Sequence, residues 1–153
     1  MRVFFPLVPP GISLVPGGEM RIGAVWIRYL AQEMAMANSA EGIVLNAIGA
    51  LAAGCVYPDI APDNSGRPYI TFQAVGGQSP NFLDGKADIQ NTRMQINVWA
   101  NARMEAIDLV KNVGQLLTSA PVNGVPVNAP VSSYDPVAKL YGSKQEISIW
   151  YYP

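Results

Sequence analysis

The stretch from Asn91 to Leu117, NTRMQINVWANARMEAIDLVKNVGQLL, changes its hydrophobic period once along its length. Met94, Ile96 and Val98 alternate with Arg93, Gln95 and Asn97, which predicts a strand over 89–99 with one apolar and one polar face. Beyond it, Ala106, Leu109, Val110, Val113, Leu116 and Leu117 recur at helical spacing. Asn101 stands where a cap is expected, so a helix is predicted from Ala102 to about Thr118, with Pro121 beyond its end. A strand apolar on one side that feeds a helix with one apolar stripe buries both only if the helix packs back on the sheet. That restricts the chain to an α+β layer architecture.

The remaining segments extend this plan. Asn38-Ser39 is an N-cap signal for a helix with Glu41 in its first turn, where the dipole favours an acid. Its stripe is Ile43, Val44, Ala47, Ile48 and Leu51, and Gly54 is placed to end it in a left-handed conformation. A short strand is expected at Cys55–Tyr57, then turns through PDIAPDNSGRP, and a strand over Tyr69–Val75. Ile70, Phe72 and Ala74 share one face of that strand; Tyr69, Thr71 and Gln73 share the other. Gly76 to Asp88 reads as a long loop. Residues 121–136 are extended and Pro-punctuated, with at most an edge strand near Val127–Tyr134. Ser143–Tyr152 closes the fold, with Ile147, Ile149 and Tyr151 opposite Glu146, Ser148, Trp150 and Tyr152. The fold class expected is α+β: an antiparallel or mixed sheet of about four to five strands, two helices packed on one face, and an N-terminal arm or helix.

Two units are expected, 1–37 and 38–153. Residues 1–20 are too rich in Pro and Gly for a helix, whereas 21–37 place Ile22, Val25, Trp26, Tyr29 and Leu30 on a helical stripe. This stretch is either an arm ahead of the main domain, able to lie on a neighbouring subunit, or lies upstream of a later translation start at Met20, Met34 or Met36. The run from Ile43 to Ala53 is too short to cross a bilayer, and the N-terminal prolines fit a signal peptide poorly, so synthesis in the cytoplasm and no membrane partner are expected.

Charge is scarce. Only 14% of the 153 residues are charged, against about 25% in ordinary globular chains, and half are apolar. Either partners cover much of the surface or uncharged polar groups carry it. The net charge of −1 contains no basic block, which argues against nucleic-acid recognition.

Little in the sequence supports catalysis or a cofactor. With no histidine, the commonest general base and zinc ligand are missing. Cys55 has no activating neighbour in sequence and reads as a small hydrophobe, and as the single cysteine it rules out an internal disulfide. Asp59, Asp63, Asn64 and Ser65 lack the spacing of a calcium loop and fit turns, so no metal is expected. Gly76-Gly77 and Gly85 form no phosphate-binding motif, and Glu105 with Asp108 lies on the polar side of a helix. A small-molecule module would need Tyr69, Gln73, Arg93 and Asn97 to converge on the open sheet face. Apolar side chains predicted outside the core are more telling: Trp99 and Trp150 on the polar faces of their strands, Phe82 and Leu83 in a loop. With Lys86, Arg93 and Tyr152 they are candidate protein-contact residues, unless 21–37 or 121–140 folds over them.

The ordered set VYPDIAPDNSGRPYITFQAVGG, a loop, NTRMQINVWANARMEAIDLVKNVGQLL and a closing SKQEISIWYY resembles the small tail-completion, or tail-terminator, proteins of tailed bacteriophages. The features that carry it are Val56-Tyr57-Pro58, Pro68 to Gln73, the R-x-Q-x-x-V-W-A strand (Arg93, Gln95, Val98, Trp99, Ala100) and the closing Trp-Tyr, over about residues 39–152. The resemblance implies a structural virion protein that forms a ring, usually hexameric, at the head-proximal end of the tail. Its partners would be other copies of itself, the tail tube protein and the head-completion or connector protein. A head-completion or neck role in the same virion is the alternative. The chain departs from the family pattern in residues 1–35 and in its long, Pro-rich 121–140 segment.

Overall fold

The computed structural model describes residues 38–82, 85–86 and 88–153. The expected arm and helix of residues 1–37, and Leu83 with them, lie outside the described residues.

Helix α1 (Ala40–Ile48) begins where Ser39 Oγ accepts a hydrogen bond from the Gly42 N–H at 3.1 Å, as the cap signal predicts. It ends earlier than Gly54 suggests. Gly49 stays right-handed at the C-cap, and the left-handed turn falls later, in Ala52, Ala53 and Gly54 (φ 49°, 54° and 82°), inside the short helical segment Leu51–Gly54. Strand β1 (Val56–Pro58) runs parallel to β2 (Tyr69–Ala74), and β2 is antiparallel to β5 (Gln90–Ala100). The segment between β2 and β5 is not a plain loop: β3 (Asn81–Phe82) and β4 (Gly85–Lys86) pair as a small antiparallel ribbon.

Helix α2 (Arg103–Thr118) follows β5 directly, with Ala102 at its N-cap and no side-chain cap. Asn101, the expected cap, instead accepts a hydrogen bond from Arg67 Nη1 on Oδ1 at 3.4 Å. The C-terminal carbonyls are satisfied locally: Ser119 Oγ donates to the Gln115 carbonyl at 2.6 Å and the Gly124 N–H to the Leu117 carbonyl at 2.8 Å. Leu116, expected in the stripe, is exposed, whereas Ala106, Val110, Val113 and Leu117 are buried. Beyond α2, β6 (Val125–Pro126) and β7 (Val131–Asp135) both pair antiparallel with β8 (Leu140–Tyr151), two edge strands where one was expected.

The result is a mixed six-stranded sheet in the order β1-β2-β5-β8-β6, with β7 also on β8, an α+β fold with one strand more than expected. Strand β5 registers on β8 from Gln90 opposite Tyr151 to Ala100 opposite Tyr141, so alternate residues of both strands share a face. One face carries Ile70, Phe72, Met94, Ile96, Val98, Ile147 and Ile149 against Ala40, Val44 and Ile48 of α1 and the buried stripe of α2. Each large side chain so buried contributes about 1.5–3 kcal/mol relative to exposure, which outweighs the weak local helix propensity of β-branched residues.

Candidate assembly surface

Among the described residues both helices lie on one side of the sheet, and its other face, called the open face below, carries no helix. Cross-strand register places Tyr69, Thr71 and Gln73 beside Trp99, Asn97 and Gln95, and these beside Gly142, Lys144 and Glu146. Its polar groups mostly engage one another. Asn97 Nδ2 donates to Thr71 Oγ1 at 3.5 Å, and Gln95 Nε2 donates to Asn97 Oδ1 at 3.0 Å. Arg93 Nε pairs with Glu146 Oε2 at 3.3 Å. Asn91 is buried at one end of the face: its amide donates to Ser148 Oγ at 2.7 Å and the Ile149 carbonyl at 3.2 Å, and Oδ1 accepts from the Gln78 N–H at 3.0 Å. Burial raises the pKa of the Tyr69 phenol, with Arg67 lowering it and Asp135 adding a smaller upward push.

Much of the polar chemistry of the open face is thus taken up by hydrogen bonds and an ion pair within the face itself. The hollow of about 420 Å³ beside Arg93 is lined, among the described residues, by Gln78, Asn91, Val125, Val127 and Trp150, and not by Tyr69, Gln73 or Asn97. Among the described residues, no group of three or more His, Cys, Asp or Glu is placed to hold a metal ion, and no helix is long and apolar enough to cross a membrane.

The expected contact residues separate into groups. Arg93, Trp99 and Trp150 do share the open face, but Trp99 stands opposite Gly142 and Trp150 opposite Asn91, at opposite ends of the β5–β8 pair. Trp99 is half-buried, its ring lying where a Cβ on Gly142 would fall, while Trp150 is 39% exposed and Tyr152, just past the strand, 72% exposed. Phe82 and Lys86 belong to the β3–β4 ribbon. An edge strand near Val127–Tyr134 was expected, but not that the outer edge of β8 would leave apolar side chains uncovered. Val125, Val127, Val131 and Tyr134 are all exposed there, and Val137, in the turn between β7 and β8, is exposed to 92%. The signal was present in PVNGVPVNAPVSS, an uncharged run of β-branched residues broken by prolines, a composition suited to edge strands.

A fold with a polar sheet face free of helices among the described residues, and an apolar edge only partly paired, presents surface for contact with other chains. The chain belongs to the tail completion protein family: the family model described as tail completion protein gp17 matches residues 44–152. The protein is therefore a phage tail structural protein and a component of the virion. Among solved structures, a chain of the "Virion of native gene transfer agent (GTA) particle" matches at 12% identity and a TM-score of 0.45, covering 81% of this chain and 92% of that one. No curated protein sequence matches.

Proposed function

We propose that this protein forms a closed homohexameric ring at the head-proximal end of the phage tail, where it ends growth of the tail tube and presents the surface to which the head connector binds. The observation that carries the reading is the family match, which spans nearly all of the described fold, from within α1 to the end of β8. Residues 38–153 form the ring-building domain.

Ring closure needs two different surfaces that meet around an axis. The sheet has two unlike edges to offer. At one, among the described residues, β1 is paired only to β2; at the other, β6 and β7 cover β8 in pieces and leave Val125 and Val131, with Val137 in the turn between β7 and β8, exposed. Subunit contacts run along the valine edge, with Trp150 and Tyr152 at its end. Arg93, Trp99, Phe82, Leu83 and Lys86 serve the axial contacts with the tube and connector.

Mass photometry of the full-length protein, alone and with tail tube protein, tests the reading, with intact mass fixing the N-terminus. A species near six times the 16.4 kDa chain mass, formed alone or on adding tube protein, is expected. Val131→Lys and Val137→Lys should lower its yield without unfolding the chain. A strict monomer indifferent to tube and connector overturns the proposal. Binding to connector but not tube would assign the protein to the neck instead.

A further inference from the structure

The two edges of the sheet differ in charge and match in height. One row of cross-strand partners, Tyr57, Thr71, Asn97, Lys144 and Val131, runs from β1 to β7. Just past Tyr57, the connection 59–68 leaves β1 and enters β2 at Tyr69. Asp59 takes a positive φ of 57° there, and the Ile60 N–H donates back to the Pro58 carbonyl at 2.7 Å. Beyond this tight turn Ile60 is 83% exposed, between the exposed Asp59 and Asp63. The connection holds no cation before Arg67, whose guanidinium donates to Asn101.

At the other edge the free charge is positive. Glu146 is paired with Arg93, and Asp135 accepts from the Val137 and Ala138 N–H groups of its own turn. Lys139 and Lys144 remain, and among the described residues neither enters an ion pair, nor do Asp59 and Asp63. Lys144 stands directly opposite Val131, which is 52% exposed.

We infer that the connection carrying Asp59, Ile60 and Asp63 in one copy seats on β7 of the next, with Ile60 against Val131 and the two carboxylates beside Lys144. The inference rests on the ring reading above and names the second of the two surfaces that a ring needs. A group that fits a patch elsewhere on the same molecule joins copies head to tail, and the chain of copies closes when successive subunits are not offset along the axis. The row from Tyr57 to Val131 supplies that match for strands running along the axis. An apolar group held out by a fixed turn loses little freedom on docking. Charge favours this pairing over pairing of like edges, since two connections would set four carboxylates together and two β7 edges would set lysines together.

Cross-linking in the assembled ring tests the contact. Ile60→Cys and Val131→Cys are placed in one chain, the ring is formed as by the unaltered chain and oxidised, and peptide mass reads the linked positions with Cys55 followed separately. A disulfide between position 60 of one copy and position 131 of another is expected, and neither single variant should give it. Ile60→Asp, at an exposed position and with the fold checked by far-UV circular dichroism, should lower the yield of the ring by about tenfold or more, as for a central contact residue. A ring that forms without the 60–131 link, or that survives Ile60→Asp, overturns this contact and leaves the ring reading standing. An unaltered chain that stays monomeric with and without tube protein overturns both.

Discussion

A Cβ placed on Gly142 would fall 2.9 Å from Cζ3 of Trp99, the residue directly across from it on β5, and closer still to Ser133 Oγ on β7. Gly142 is thus the point at which three strands close up beneath a tryptophan on the open face. Gly142→Ala should cost about 1–3 kcal/mol through overpacking. A lower urea midpoint at unchanged m-value, with a shift in tryptophan emission, would show it. A neutral effect would mean that the Trp99 ring is free to move aside.

Asn91 holds the other end of that face. Its amide satisfies the Gln78 N–H, Ser148 Oγ and the Ile149 carbonyl, so Asn91→Ala strands the buried Ile149 carbonyl and removes two part-buried bonds, and should destabilise by about 1–3 kcal/mol. Ser148→Ala should cost less, because the amide keeps the Ile149 carbonyl. Equal losses from the two variants, measured by chemical denaturation, would contradict this ordering.

The Arg93–Glu146 pair has a different weight. The Arg93 side chain is 45% exposed, so solvent screens the pair and a double-mutant cycle on stability should return a coupling of about 0.2–1 kcal/mol. Arg93→Ala should therefore leave the monomer folded while weakening association with tube or connector protein. Loss of folding with association intact in the residual protein would reverse that assignment.

Tyr69 gives a pH prediction. Burial raises its phenol pKa above the ordinary value of 10.0 in the folded chain, so the unfolded chain ionises first as pH climbs. The stability linked to this group is complete below pH 10.0 and is lost as pH rises through the folded pKa. Tyr69→Phe should flatten the alkaline limb of a stability–pH curve while leaving the curve near neutrality unchanged. Thermal melts between pH 8 and 11.5 would reveal it, and identical alkaline limbs would count against the burial argument.

Much of this fold can be read from local sequence, because local periodicity determines which side of an element is apolar. The alternation Met94-Ile96-Val98, the stripe Ala106-Val110-Val113-Leu117 and the Ser39 cap depend only on residues a few positions apart, and the structure keeps all three. The resemblance over the strand–helix core led to the family for the same reason. Long-range contacts decided the rest. Asn101 gave up the cap to Arg67, thirty-four positions away, and Leu116, on the helical stripe by spacing, is left 42% exposed. Phe72 lies opposite Ile96 across the sheet through strand register, which no local pattern encodes. The valine edge emerged only when β6 and β7 were seen to share one side of β8, leaving apolar side chains without cover. Sequence by itself determined the faces; tertiary structure determined which faces meet, because burial and hydrogen bonding are settled between segments distant along the chain.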